Sequence, residues 1–299
     1  MKELKDIQDD QIRVVGEEIQ RKPLSRVVWI VVLSILGVIL AMMFAVSPNK
    51  ESIEPCLAPE PAFFEPVPVE VPEVVSRERI GRDVDSLEVG FTEIRDTIIN
   101  DIPIRIFIPH NAEMSLHIGK MDREDKEVIY AAQAADVRAD NGGIVGAFVL
   151  KGVPRAWGLS KSGFCASING VVTVGVAENS PLFEQATEQG GYFFRQYPLV
   201  CDGKLVENEP KGKAVRRAIC DRQGEIFMVE TGTIESFHDF AQALVDLGVD
   251  NAIYLVGSAA YGWAVDEEGT VHQFGNDGYY RGEQKIPKNT SYIVWRKLQ

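Results

Sequence analysis

The sequence predicts an α+β domain with a mixed, largely antiparallel sheet and a few packed helices, preceded by one transmembrane helix. Three observations predict this fold class: short β-rich runs separated by turn dipeptides, one capped amphipathic helix, and a long uncharged stretch near the N-terminus. The 299 residues accordingly divide into a cytoplasmic tail (1–26), a transmembrane helix (27–46), a proline- and glutamate-rich linker (47–76) and a folded domain (77–299).

The transmembrane prediction rests on twenty consecutive uncharged residues, 27–46. A helix of that length spans the roughly 30 Å hydrocarbon layer of a bilayer. The stretch is longer, and begins later in the chain, than the apolar core of a cleavable signal peptide, which favours an uncleaved anchor. Arg21, Lys22 and Arg26 flank it on the N-terminal side. The positive-inside rule therefore places the tail in the cytoplasm and the folded domain outside the cytoplasmic membrane.

The linker 47–76 contains seven prolines and six glutamates. Proline removes backbone N–H donors and restricts φ, and like charges repel one another, so this composition is typical of an extended, semi-rigid spacer. The alternative is an irregular loop of the folded domain, although loops of that length are uncommon in compact domains.

The charge and the content of cysteine and histidine exclude several functional classes. A formal net charge of −13 argues against nucleic acid as a partner, because a phosphate backbone requires a basic surface. The four cysteines and four histidines lack metal-ligand spacing, so neither a metal site nor a cofactor is expected. Disulfide pairing among Cys165, Cys201 and Cys220 stays open, since connectivity cannot be read from spacing.

Alternation and turn dipeptides predict several strands of the folded domain. Ile104, Ile106 and Ile108 alternate with other residues, which is the pattern of a half-buried strand. The dipeptides at 169–170 (Asn-Gly) and 202–203 (Asp-Gly) lie between apolar runs, as in two-residue hairpin turns.

One helix is predicted clearly, over residues 236–247. Ser236 can cap its N-terminus with Asp239 three residues on, and Gly248 supplies a left-handed stop. A buried strand is expected directly afterwards, at 252–256. The alanine-rich segment 126–136 is less clear, because it is compatible with a helix by propensity or with a buried strand.

Three segments carry a resemblance to a known family. Residues 195–204 read Arg-Gln-Tyr-Pro-Leu-Val-Cys-Asp-Gly-Lys, residues 217–219 read Arg-Ala-Ile, and residues 247–255 read Leu-Gly-Val-Asp-Asn-Ala-Ile-Tyr-Leu. In this order and spacing they resemble the phosphodiester glycosidase family, more loosely from about Ile104 onward. The resemblance implies an enzyme that cleaves a sugar-1-phosphodiester.

The sequence departs from the family pattern where acidic or polar residues are expected. The family's Asp-Gly-Gly after the last strand corresponds to Val256-Gly257-Ser258, so the aspartate is replaced by an apolar residue. Its Asn-Gly-Gly-Phe-Phe corresponds best to residues 133–137, with 141–143 as the alternative. The family's arginine near residues 230–233 is absent.

The implied reaction suggests which residues form the site. Glycoside cleavage usually uses two carboxylates, and Asp136 and Glu230 are the candidate catalytic residues by position. Phosphate requires arginine or backbone N–H donors at a glycine turn, so Arg217, Gly257 and Ser258 are the candidate substrate-binding residues. The alternative for Arg217 is a surface salt bridge, because only one of two tandem arginines can point inward along a strand.

The resemblance and the departures from the family pattern predict two alternative functions. The first is a membrane-anchored glycosidase that acts on a sugar-1-phosphodiester of the cell envelope, with Asp140 and Asp266 as further acids to consider. The second is a domain that retains the fold, has lost the chemistry, and binds an envelope glycan or a partner protein. Val256 in place of the aspartate favours the second function, whereas the family resemblance favours the first.

Overall fold

The computed structural model describes residues 77–279 and 286–298. The predicted tail, transmembrane helix and linker (residues 1–76) lie outside the described residues and stay predictions. In the part of the chain that is described, no helix combines the length and the apolar character needed to cross a membrane.

The described residues form seventeen strands, two α-helices and one short 3₁₀ helix (Asp277–Tyr279). In chain order the strands are β1 (Phe91–Ile99), β2 (Ile102–His110), β3 (Ala112–Ile118), β4 (Val128–Gln133), β5 (Ala147–Leu150), β6 (Val153–Trp157), β7 (Gly163–Ile168), β8 (Val171–Val176), β9 (Tyr192–Gln196), β10 (Pro198–Cys201), β11 (Lys204–Leu205), β12 (Ala214–Arg222), β13 (Glu225–Glu235), β14 (Asn251–Leu255), β15 (Gly262–Val265), β16 (Val271–Phe274) and β17 (Ser291–Lys297). The helices are α1 (Leu182–Glu188) and α2 (Phe237–Asp246).

The strands are arranged in three sheets. A seven-stranded sheet has the order β1-β2-β13-β12-β14-β10-β11, and two five-stranded sheets have the orders β16-β15-β4-β17-β3 and β6-β5-β9-β7-β8. All pairings of these strands in the described residues are antiparallel. The prediction of a sheet-rich α+β domain is confirmed, but the sheets are more uniformly antiparallel than the predicted mixed sheet.

Local sequence signals give the local structures that they predict. Asn169-Gly170 and Asp202-Gly203 have positive φ at both residues, which is the geometry of a type I′ hairpin turn. The isoleucines of β2 are buried in alternation, as expected. Within segment 126–136, residues Val128–Gln133 form the strand β4, which is buried along most of its length between β15 and β17.

Helix α2 begins and ends as predicted. The Ser236 hydroxyl accepts a hydrogen bond from the Asp239 backbone N–H at 3.0 Å, and it donates to the Asp239 carboxylate at 2.7 Å. At the other end Gly248 has a φ of 84°, and the Val249 N–H bonds the Leu244 carbonyl at 3.0 Å. This pattern is a Schellman C-cap, which satisfies carbonyls that the helix leaves unpaired.

Both faces of the seven-stranded sheet are covered. On one face, Phe240 and Leu244 of α2 pack in a core cluster with Ala218 of β12. On the other face, Ile219 of β12 and Ile253 of β14 pack in a cluster shared with strands of the other two sheets. Side chains on either face of β12 are therefore removed from water, a condition that determines the surroundings of Arg216 and Arg217.

The first described residues are held at one end of β12 and β14. The Arg77 guanidinium donates to the Gly248 carbonyl, and its backbone N–H donates to the Gln223 side chain at 3.1 Å. The Arg222 guanidinium in turn donates to the Glu78 carbonyl at 2.8 Å. Residues 77 and 78 thus lie against the β12–β13 turn, beside the start of β14.

The cysteines of the folded domain are not paired with one another. Cys165 and Cys220 are buried and Cys201 is partly buried, and all three are thiols. Cys56 lies outside the described residues. Buried thiols of this kind behave as small core residues.

Candidate functional site

The ends of β4 and β14 meet at the site that the family resemblance indicates. The Val256 N–H donates to the Gln133 carbonyl at 3.1 Å, so residues 133–137 lie beside residues 256–258. The alternative segment 141–143 lies instead in a loop closed by a 2.8 Å bond from the Arg138 N–H to the Gly143 carbonyl. The correspondence of 133–137 to the family's Asn-Gly-Gly motif stays a prediction, and the geometry brings its residues next to Gly257 and Ser258.

Asp136 is the predicted catalytic residue with a partly exposed side chain in this region, where Ser258 is exposed as well. Its carboxylate is 35% exposed and forms an ion pair with the ammonium group of Lys161, which is only 4% exposed. Lys161 also donates to the Gln196 side-chain oxygen, and its nitrogen lies 4.1 Å from the centre of the Tyr197 ring. A carboxylate, an ammonium, an amide and an aromatic ring therefore form one cluster, here called the Asp136 cluster.

Hydrogen bonds fix the Asp136 cluster to the backbone around it. The Gln196 amide donates to the Ala134 carbonyl at 3.3 Å, which ties β9 to the segment after β4. The Tyr197 carbonyl accepts from the Tyr254 N–H at 2.9 Å, which ties the cluster to β14. The cluster is thus held by three strands rather than by a single loop, as a preorganised site requires.

Burial sets the electrostatics of the Asp136 cluster. Desolvation lowers the pKa of Lys161, and the nearby Asp136 carboxylate partly opposes that shift. Desolvation also raises the pKa of Tyr197, and the charges of Asp136 and Glu209 add to the increase. Burial therefore makes the Tyr197 phenol harder to ionise, and desolvation and the Asp136 charge act in opposite directions on the Lys161 ammonium.

Gly257 and Ser258 do not present their backbone N–H groups to a ligand. The Gly257 N–H donates to the Tyr254 hydroxyl at 3.0 Å, and the Ser258 N–H donates to the Val215 carbonyl at 2.8 Å. Ser258 has a φ of 55°, so the chain turns sharply after β14. The Ser258 N–H thus holds this turn against β12, and the Gly257 N–H ties it to the side chain of Tyr254 in β14.

Arg217 is a buried residue rather than a surface one. Its side chain is 1% exposed and forms an ion pair with Glu230. The guanidinium also donates to the Val256 carbonyl at 3.1 Å and the Ala260 carbonyl at 2.6 Å, and it lies 4.6 Å from the ring centre of Phe274. The alternative of a surface salt bridge is therefore wrong, and these contacts hold the guanidinium within the core.

The tandem arginines point to opposite faces of the sheet, as the strand period requires. Arg216 lies on the face covered by α2, where its guanidinium is 4.1 Å from the Phe237 ring centre and donates to the Glu235 carbonyl at 2.8 Å. Both arginines are buried because both faces are covered. The prediction that only one of them could point inward assumed a sheet with one face in water.

Glu230 belongs to a row of alternating charges that crosses four strands. Cross-strand pairing places Asp96, Arg105, Glu230 and Arg217 in one register from β1 to β12. Asp96 and Arg105 form an exposed pair at 2.8 Å, and a groove of about 530 Å³ lies over this end of the row. Among the described contacts, Glu230 shares no partner with Asp136, so the two predicted catalytic carboxylates belong to separate ion pairs.

The two remaining acids also have partners of their own. Asp140 forms a 3.0 Å pair with Arg138 on the surface, and Arg138 lowers the pKa of its carboxyl. Asp266 accepts from His272 at 2.6 Å, and the interactions with His272 and the Thr270 N–H outweigh desolvation to lower its pKa. Neither acid contacts the Asp136 cluster.

Sequence reasoning did not identify Lys161, Gln196 and Tyr197 as site residues. Gln196 and Tyr197 fall in the segment 195–204 that carries the family resemblance, so that motif could have identified them. Lys161 lies in a glycine- and serine-rich stretch with no recognisable motif. Its place beside Asp136 is a result of tertiary structure alone.

Comparison with known proteins finds one matching family and two similar solved structures. A family model described as phosphodiester glycosidase matches residues 126–290. The zebrafish N-acetylglucosamine-1-phosphodiester alpha-N-acetylglucosaminidase catalytic domain, auto-inhibited by its pro-peptide, aligns with a TM-score of 0.49 and 12% identity, over 70% of this chain and 83% of that one. A hypothetical protein from Synechocystis aligns with a TM-score of 0.46 and 12% identity, over 70% of this chain and 62% of that one. No curated protein matches this sequence.

Proposed function

Because the chain belongs to the phosphodiester glycosidase family, we propose that it is a membrane-anchored, extracytoplasmic protein that cleaves a sugar-1-phosphodiester of the cell envelope. Asp136 is its acting carboxylate. The observation that carries the proposal is the Asp136 cluster, in which a partly exposed carboxylate is held against a buried ammonium at the ends of two strands. A carboxylate that is partly open to solvent can reach an attacking water, as a general base must.

The leaving group decides how many carboxylates this reaction needs. When the bond between C1 of the sugar and its oxygen breaks, the electron pair stays on an oxygen of a phosphate monoester. The second pKa of such a monoester is about 6, so it leaves as a stable anion at neutral pH without a general acid. One carboxylate is then sufficient: Asp136 accepts a proton from the water that attacks C1.

The other members of the Asp136 cluster support this role. Lys161 orients the carboxylate and adds positive charge where an anionic phosphate departs. Gln196 fixes Lys161 through its side-chain oxygen. Arg217, which is bonded to Glu230 and two carbonyls, supports the end of β14 from the core and is a positioning residue in this proposal.

Replacing Asp136 by asparagine is expected to lower turnover of sugar-1-phosphodiesters by about 10²- to 10⁴-fold, the usual contribution of a general base. The measurement is phosphate-monoester release from a panel of these substrates by the full chain in lipid nanodiscs. Asp140→Asn is the matched control, because it removes an exposed carboxylate four residues away whose one ion pair among the described residues is with Arg138. Equal turnover by D136N and D140N would contradict the assignment.

A second candidate function, glycan binding without cleavage, is favoured by Val256. This apolar residue stands where the family pattern has an aspartate, and the Asp136 cluster holds a single carboxylate. The same panel distinguishes the two functions. Ligands that raise the melting temperature of the chain without being hydrolysed would indicate a binding domain, since a ligand that binds only the native state stabilises it.

The proposed location is tested with a reporter that is active only outside the cytoplasm, fused after residue 299. Alkaline phosphatase in this position is expected to be active and to sediment with membranes. Deletion of residues 27–46 is expected to leave the fusion inactive and in the soluble fraction, because the uncharged stretch that inserts into the bilayer is gone. An inactive reporter on the intact chain would contradict the proposed orientation.

A further inference from the structure

A second recess lies beside the Asp136 cluster, between the end of β6 and the start of α1. Its volume is about 600 Å³, within the range of small-molecule sites. Its lining combines exposed apolar side chains at and after the end of β6, polar side chains of the segment that leads into α1, and a buried arginine. These residues include Trp157, Leu159, Asn179, Ser180, Glu184 and Arg195.

Trp157 is the unusual residue of this recess. Its side chain is 67% exposed, whereas Trp263 and Trp295, the other tryptophans of the described residues, are 2% and 6% exposed. Leu159, two residues on, is 68% exposed on the same wall. Tryptophan is buried on average, so an indole exposed in a concave wall indicates a surface that contacts a ligand.

Arg195 holds one side of the recess in place. Its guanidinium donates to the Lys161 carbonyl at 2.7 Å, just before β7. It also donates to the Ala177 carbonyl at 2.8 Å and the Glu178 carbonyl at 2.7 Å, just after β8 and next to Asn179 and Ser180. The side chain is 2% exposed. The segment that carries Asn179 and Ser180 is thus held in place before a ligand binds, which lowers the entropic cost of binding.

We propose that this recess binds a pyranose ring of a glycan. A pyranose has a face of C–H groups and an edge of hydroxyls. The C–H face matches the indole of Trp157, because the face of an aromatic ring is its negative side. The hydroxyl edge matches the amide of Asn179 and the carboxylate of Glu184, which line the same recess and are both exposed. Since Glu184 is the one exposed charge in the recess, a phosphate is not the group that binds here.

The recess is connected to the Asp136 cluster through five residues, 157–161. The segment begins at Trp157 in the recess and ends at Lys161. The Lys161 carbonyl accepts a hydrogen bond from Arg195, and its ammonium forms an ion pair with Asp136. A glycan chain whose reducing end lies at Asp136 can therefore extend into the recess. The choice of a glycan as ligand rests on the proposed function. The existence of the recess and the exposure of Trp157 are independent of it.

The test measures oligosaccharide binding separately from hydrolysis. The full chain carrying Asp136→Asn is placed in lipid nanodiscs, because the sugar headgroups of glycoside detergents would compete. Cellotetraose, maltotetraose and chitotetraose are then examined by ligand-observed saturation-transfer NMR. Trp157→Ala is added to remove the indole, Trp157→Phe to keep an aromatic ring, and Val153→Ala as a control on the same strand, where Val153 is 49% exposed.

Saturation transfer to ring protons of at least one oligosaccharide is expected, with Kd raised about tenfold or more by W157A, as for an aromatic anchor. W157F is expected to fall between W157A and the parent, and V153A to match the parent. Equal Kd for W157A and V153A would overturn the assignment. So would the absence of saturation transfer to any of the three sugars. Hydrolysis by the unsubstituted chain is measured in parallel, so the proposed function can stand when this inference fails.

Discussion

Replacing Arg217 by methionine is expected to lower the free energy of unfolding by about 3–5 kcal/mol, the cost of breaking a buried ion pair. The substitution leaves the Glu230 carboxylate, which is 17% exposed, without its closest cation, and it leaves the Val256 and Ala260 carbonyls without their donor. Unfolding in urea, followed by circular dichroism, measures the change. Substitution of a surface arginine that binds phosphate would change the free energy of unfolding far less.

Two further variants show whether the ion pair itself is responsible. Adding Glu230→Leu to Arg217→Met is expected to recover part of the loss, because an apolar pair avoids a buried unpaired charge. Arg105→Met serves as the matched control, since its pair with Asp96 in the same row is exposed and such pairs contribute about 0–1 kcal/mol. If R217M were no more destabilising than R105M, the structural role of Arg217 would be refuted.

Replacing Gly257 by alanine is expected to destabilise the domain by about 1–3 kcal/mol, because the added methyl group has no space. An ideal Cβ at Gly257 would lie 2.2 Å from the Val215 carbonyl oxygen and 3.1 Å from the Tyr254 hydroxyl. The first of these atoms belongs to the backbone of β12 and cannot move without disturbing the sheet. Thermal unfolding of the purified chain gives the measurement.

Gly158→Ala is the matched control for this substitution. A Cβ at Gly158 would meet its nearest atom, the Gly146 Cα, at 3.4 Å, which is an ordinary contact. Its expected effect on stability is small. Should G257A melt at the same temperature as G158A, Gly257 would not be the close-packing position described above, and its predicted role in substrate binding would regain support.

The sequence predicts those parts of the fold whose signals are local. The caps of α2 depend on Ser236, Asp239 and Gly248, all within thirteen residues, and the type I′ turns depend on two residues each. Segment 126–136 is ambiguous in sequence because alanine favours a helix locally. Pairing with β15 and β17 stabilises a strand there instead. Such pairing joins residues more than one hundred positions apart, and periodicity does not encode it.

The site was less predictable than the fold for the same reason. Asp136 and Glu230 could be named by position, but their separation into two ion pairs depends on Lys161 and Arg217, which no spacing rule connects to them. The burial of Arg217 depends on Phe274, from a different sheet. Sequence therefore identifies the residue types available for chemistry, whereas tertiary packing decides which of them stay accessible to a substrate.

Arg77 is attached at the β12–β13 turn, and the Asp136 cluster lies near the opposite end of the neighbouring strand β14. Asn251 begins β14 at the end near Arg77, and Gly257 lies just past its other end, beside the Asp136 cluster. Six residues of extended chain measure roughly 20 Å. Arg77 therefore lies at the end of β14 remote from Asp136, so a substitution or a label at Arg77 leaves the residues of the Asp136 cluster untouched.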